Sequence, residues 1–274
     1  MKKYKNTAKL AAIVVLAAAI TGCSSSSLAL TADMETDLIG EGSGSGSLVS
    51  KGKESFDADE FESVEVTATA MEIFVTESSA EQAEVELLTD EDIGNRFTFE
   101  ADIRDGVLEA QVEEESKSFN FNPDGQKGER KLLISLPEKQ YKKLKIRNAF
   151  GRVEASGVEA DQVEIKLDAG AIRLDGVAGE LDLEAAAGEI EVGGIRLDHH
   201  VTAKTDAGEI KIHLLEAPKD AEFLLQSDVG EVTANLGDAD YKVNASNEKA
   251  GTIGSGGVLL EASTGVGAIS VDAK

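Results

Sequence analysis

Three glutamates recur at one place in a repeat. Glu189, Glu209 and Glu231 each follow a glycine, and Asp206 and Asp228 each stand two residues before one. If the units that carry them stack, the glutamates lie about one strand spacing, roughly 4.8 Å, apart. Like charges at that distance need solvent or a cation to screen them. Such a row is either a solvated acidic edge that keeps the chain monomeric or a cation-binding site. Calcium suits it, since it takes several carboxylate oxygens in flexible geometry, and so does a basic peptide lying along the row. The two aspartates also suit a plainer task, capping turn amides.

The second residue with chemistry of its own is Cys23, the single cysteine, which excludes an intramolecular disulfide. Lys2, Lys3, Lys5 and Lys9 precede an apolar run from Leu10 to Ile20. That run is short for a membrane span and has the length of a signal-peptide apolar region. It ends in Ile20-Thr-Gly-Cys23, which resembles the bacterial lipobox. The resemblance implies cleavage before Cys23 and acylation of it, as by palmitate, which leaves a protein anchored on the extracytoplasmic face of the cell membrane. Two acyl chains would supply the double attachment that stable anchoring needs.

Other candidates carry less. His199 and His200 are adjacent, so on a strand they point to opposite sides, and only His213 stands elsewhere. They read as residues of solvated loops rather than metal ligands, and the metal assignment is none. Asn120-Phe-Asn-Pro-Asp-Gly125 imitates the start of an EF-hand loop, but Lys131 stands where the bidentate glutamate belongs and Pro123 is out of place. No nucleophile elbow, phosphate loop or Cys-x-x-Cys word occurs in a supporting context. The expectation is a non-enzymatic protein without cofactors.

The elements that position these residues follow from glycine spacing. Gly151, Gly170, Gly188, Gly208, Gly230, Gly251 and Gly267 each sit between two alternating runs. Seven residues before the glycine lie Leu144, Val163, Leu181, Val201, Phe223 and Leu260, and two residues after it lie Val153, Ile172, Ile190, Ile210, Val232, Ile253 and Ile269. The residues between are mostly charged or small. Each unit is therefore two strands with one buried face apiece, too small to bury that face alone. Only the stretch 244–250 needs a one-residue insertion to fit.

The charges choose the topology. Hairpins at the glycines would set Lys166 against Arg173, Glu184 against Glu191 and Lys204 against Lys211, which is destabilising. Parallel stacking instead gives the ladders Lys166/Glu184/Lys204 and Glu154/Arg173/Glu191/Lys211, in which every neighbour has opposite sign. The predicted fold is all-β, a parallel β-solenoid of about seven two-strand rungs over residues 138–274. Residues 56–137 read as an N-terminal β region that caps it, with Met71 in the place of a corner glycine. Residues 23–55 read as a flexible Ser/Gly-rich tether, and 1–22 as the signal peptide. Phe150 and Phe223 are expected in the core.

With 27 Lys and Arg against 52 Asp and Glu, the formal charge is −25. That repels nucleic acid and anionic membrane surfaces and favours cationic partners. The absence of Trp speaks against sugar stacking.

Leu132-Leu-Ile-Ser-Leu-Pro137 and the repeated Gly-Glu-Ile/Val words at Gly188, Gly208 and Gly230 resemble the putative-adhesin (LiaG-like) domains of Gram-positive envelope proteins, over roughly residues 56–274. The resemblance implies a repetitive all-β surface domain linked to envelope-stress gene clusters, with no catalytic signature. The sequence thus points to a membrane-anchored, non-enzymatic interaction module with an envelope protein or cationic peptide as partner. The alternative is a carbohydrate-processing enzyme on a β-helix scaffold, which would need aromatic platforms beside converging carboxylates on one face.

Overall fold

The computed structural model describes residues 47–114 and 128–274, of which about three-quarters are in strands. The signal peptide, Cys23, most of the tether and the EF-hand-like hexapeptide lie outside these residues. The strands are β1 (Leu48–Asp57), β2 (Ser63–Ser78), β3 (Gln82–Asp90), β4 (Phe97–Arg104), β5 (Val107–Glu114) and β6 (Arg130–Pro137), then the long β7 (Tyr141–Ser156), β8 (Glu159–Asp175) and β9 (Ala178–Ile195). There follow β10 (Val201–Ala207), β11 (Ile210–Leu214), β12 (Ala221–Val229), β13 (Val232–Asn235), β14 (Ala239–Asn244), β15 (Glu248–Ile253), β16 (Val258–Val266) and β17 (Ile269–Ala273). Among the described residues no helix is long and apolar enough to cross a membrane.

The centre is an in-register parallel stack. β2 pairs with β7, β7 with β8 and β8 with β9, so Val64, Leu144, Val163 and Leu181 form one row and Ile73, Val153, Ile172 and Ile190 another. Both rows are buried in a single continuous core. Each such aliphatic side chain contributes about 1.5–3 kcal/mol by leaving water, which no isolated unit could collect. The charged rows lie outside and pair across neighbouring strands, Lys166 with Glu184 at 2.9 Å and Arg173 with Glu191 at 3.3 Å.

Glycine makes the bend. Gly151, Gly170, Gly188, Gly208 and Gly267 all have positive φ, between 120° and 158°. A Cβ on Gly170 would lie 1.7 Å from the carbonyl oxygen of Gly151, one on Gly188 1.7 Å from that of Gly170, and one on Gly208 1.5 Å from that of Gly188. The corner is thus closed to side chains both by backbone conformation and by the neighbouring corner. Met71 stands at the corner of β2, behind which the separate strands β5 and β6 run and no described corner carbonyl faces it.

Three expectations are corrected. First, the units do not all stack in chain order. β16 lies between β10 and β12, and β17 between β11 and β13, so the last unit of the chain is inserted between the two before it. Second, Gly251 is not a stacking corner. It sits in β15, which is antiparallel to both β12 and β14. A Cβ there would lie 2.3 Å from the Asp240 carbonyl oxygen on β14 and 2.7 Å from the Phe223 ring, which packs edge-on against Tyr241 with centroids 5.3 Å apart. Glycine is required there for the close approach of the β14 backbone and the Phe223 ring, not for a bend. Third, residues 48–55 are not tether. They form most of β1, an edge strand antiparallel to β3.

The N-terminal region continues the stack before departing from it. β5 runs parallel to the first half of β2 and β6 to the second half, as one unit split in two. Antiparallel β4 then lies against β5 and antiparallel β3 against β6.

Candidate functional site: an acidic corner

The glycine column brings the sequence-predicted acidic residues to one edge but does not space them as a simple row. Glu189 and Glu209 follow adjacent corners, whereas Glu231 follows Gly230, whose neighbour in the stack is Gly267. Residue 268, an alanine, therefore separates Glu231 from Glu209. On the other side of the corner, Asp206 and Asp228 both lie level with Gly265, one on each side of it. The insertion of β16 and β17 splits both acidic groups.

Nor is the glutamate row without basic partners. Lys211 reaches Glu189 at 3.0 Å and Glu209 at 2.8 Å, and Arg173 reaches Glu189 at 3.4 Å. The hydrogen bond from Lys211 holds the Glu189 carboxyl below the usual glutamate range against partial desolvation, with Arg173 adding to the effect. The hydrogen bonds to Glu209 and then Glu189 push Lys211 up. Among the described residues no group of three or more acidic, His or Cys side chains is arranged to hold a metal ion. The expected calcium site therefore finds no ligand set at this corner, and what remains is a strip with Asp168, Asp206, Asp228 and Glu231 outside any ion pair among the described residues.

A second feature lies beneath the strip. Three residues before the glycine, the core-facing position is polar in several units: Asn148, Thr205, Ser227 and Thr264 are all buried. Asn148 Nδ2 donates to the Met71 carbonyl at 2.8 Å, Thr264 Oγ1 to that of Gly208 at 3.1 Å and Ser227 Oγ to that of Gly267 at 2.8 Å. Each satisfies a corner carbonyl of the neighbouring unit, which would be costly to bury unpaired. Thr205 holds the equivalent place, with its buried hydroxyl unpartnered. Sequence reasoning missed these residues, although a polar side chain in the core phase of an otherwise apolar strand was a signal.

The histidines fasten the inserted unit. His200 Nδ1 accepts the backbone N–H of Leu259 at 2.9 Å, and His213 Nδ1 lies 2.7 Å from Asp272 Oδ1. Of the repeat's aromatics, Tyr141 and Phe223 are buried, while Phe150, expected in the core, is 57% exposed at the corner. The corner explains the correction. Phe150 is in phase with the buried positions 144, 146 and 148, but it immediately precedes the bend at Gly151, where the alternation breaks and its side chain is left in solvent.

Comparison with known proteins bears on this same segment. Residues 140–272 match the family model Toastrack DUF4097. This segment is similar to a Toastrack domain. Its stack extends N-terminally beyond the matched residues through β2, β5 and β6. A crystal structure titled a "putative cell adhesion protein" from Clostridium sporogenes superposes with a TM-score of 0.51 at 16% identity, covering 82% of this chain and 100% of that one. It shares the fold of this segment and its N-terminal extension. One titled a "putative adhesin" from Bacteroides fragilis gives 0.44 at 15% identity, over 82% of this chain and 97% of that one. No curated protein matches the chain.

Proposed function

We propose that the chain is a membrane-anchored extracytoplasmic lipoprotein whose Toastrack-like domain is a non-enzymatic interaction module of the cell envelope. The observation that carries this reading is the contrast between outward-facing rows. On the arms, Lys166, Arg173, Lys204 and Lys211 pair with glutamates across the stack. At the corner, Asp168, Asp206, Asp228 and Glu231 keep their charges unneutralised among the described residues. Arm charges hold the strands in register, and corner charges are left for a partner. That partner is cationic, a basic peptide or the basic face of an envelope protein. The antiparallel strands flanking the parallel stack act as caps that discourage end-to-end pairing.

Anchoring rests on Cys23 and the lipobox-like word before it. The full chain is expressed in a Gram-positive host and its membrane and medium fractions compared with those of Cys23→Ala. The wild type is expected in the membrane, and the variant released or unprocessed. A cleaved Cys23→Ala chain that stays in the membrane would overturn the lipoprotein reading.

A further inference from the structure

One residue before each corner, the stack presents a row of another kind. Ala70, Phe150, Ala169, Ala187, Ala207, Val266 and Val229 follow one another from strand to strand in register. The row contains no polar side chain. Its large members face water, with Phe150 57%, Val266 56% and Val229 66% exposed. The only other exposed large apolar residues among those described are Leu48, Leu215 and Leu224. Half of all such exposure therefore falls on one line, about 29 Å long at the usual strand spacing.

Carboxylates flank the line on both sides. Asp168, Asp206 and Asp228 precede it along their strands. Just beyond the glycines lie Glu231, outside any ion pair among the described residues, and Glu189 and Glu209, which share Lys211, with Arg152 in the same row beside Phe150. Where the inserted β16 offers only Ser263 and Gly265, a groove of 370 Å³ opens, with Lys204, Asp206, Gln226 and Asp228 on its walls. Its two aspartates straddle Gly265, about two strand spacings or 10 Å apart, which leaves room for a lysine or arginine head group between them.

From this arrangement we infer that the corner is a docking strip for a cationic amphipathic helix. The inference rests on the interaction-module reading and names its surface and partner chemistry. An apolar stripe bordered by basic residues on both sides is the complement of this edge, and a helix of about 20 residues spans its length. A second copy of the chain would bring its own carboxylates against these, and an anionic bilayer would meet like charge.

The test titrates the full chain into a labelled Lys/Leu peptide of about 20 residues with its leucines on one helical face. A scrambled peptide of the same composition is the control, read by fluorescence anisotropy. The amphipathic peptide should bind at least about tenfold more tightly than the scrambled one. The variant Phe150→Ser/Val229→Ser/Val266→Ser should lose about that factor with its melting temperature unchanged, because these side chains are largely outside the core. Should that variant melt early, Val229→Lys at the most exposed position is expected to weaken binding alone. Equal, salt-sensitive binding of both peptides would overturn the strip while leaving a diffuse acidic interaction surface. Binding of neither would overturn the strip and the cationic-partner reading together. A self-association, or an attachment to phosphatidylcholine vesicles with or without phosphatidylglycerol, that disappears in the triple variant would reassign the strip to a second copy or to lipid and overturn the peptide assignment.

Discussion

The middle and the C-terminal part of the stack are built from the same repeat and assembled differently. In β7, β8 and β9 each unit is one unbroken strand that bends at its glycine, and β8 and β9 each lie on the unit before them in the chain. From β10 onward each unit is two shorter strands, and the final unit slips between the preceding two. Register is identical in both parts, since the glycine column and the buried aliphatic rows run through without a break. A repeat of this kind therefore specifies how two units meet, not which two units meet. Neighbour choice passes to the connections. The loop after β13 folds into the β14–β15 hairpin on the outer edge of β12, which leaves the inner edge of β12 to the returning β16.

The largest test of this contrast removes the inserted unit. If β16 and β17 ended the stack, a chain stopped after Gly257 would lose one terminal layer. As inserted, they are the only described strands joining β12 and β13 to the remainder, so hydrogen-exchange protection should vanish throughout β12–β15. Protection should persist in β7 and β8, where the neighbours are intact. Persistent protection of β12 would mean that it can restack directly on β10.

A smaller effect separates the two reasons for a glycine. Gly188→Ala places a methyl 1.7 Å from the Gly170 carbonyl oxygen at a φ of 135°, whereas Gly176 has a φ of 62° and nothing within 4 Å of the added carbon. Denaturant melts should show a loss of about 3 kcal/mol or more for the first and about 1 kcal/mol for the second. Equal losses would mean that the corner column is not closed by the neighbouring carbonyl.

The smallest effect lies in the charged rows. Arg173→Glu would set a carboxylate among Glu154, Glu189 and Glu191, and about 1 kcal/mol should be lost at low salt and partly regained on adding salt. A rise in melting temperature would contradict the parallel ladder. Acid should act on the same contacts. The folded-state depression of Glu189 stabilises the protein above the ordinary glutamate value of about 4.3, and this stability is lost as the pH falls below it through the lower folded value. Because Lys211 is raised, its share persists until the pH climbs through the raised lysine value. Glu189→Gln should flatten the acid limb of a melting-temperature profile, and an unchanged limb would remove Glu189 from the account.

Legible in the residues alone were the strand pattern, the corner glycines, the parallel pairing and the alternating ladders, because each depends on contacts between one unit and an identical neighbour. Opposite signs at Glu154, Arg173, Glu191 and Lys211 excluded hairpins without any coordinates. The sequence also marked β2 as a repeat unit through the spacing around Met71. Other features needed the fold. The insertion of β16 and β17 leaves every local pattern unchanged, so no spacing could announce it, yet it separates Glu231 from Glu209 and opens the groove at Gly265. Gly251 imitated a corner because close approach of the Asp240 carbonyl and the Phe223 ring demands the same missing side chain as a bend. Lys211 reaches Glu189 and Glu209 across neighbouring strands, a pairing hidden from a reading that treated each row by itself. Periodicity records what each unit presents to a neighbour, whereas the identity of that neighbour, and with it the shape of the acidic corner, arises from long-range closure of the chain.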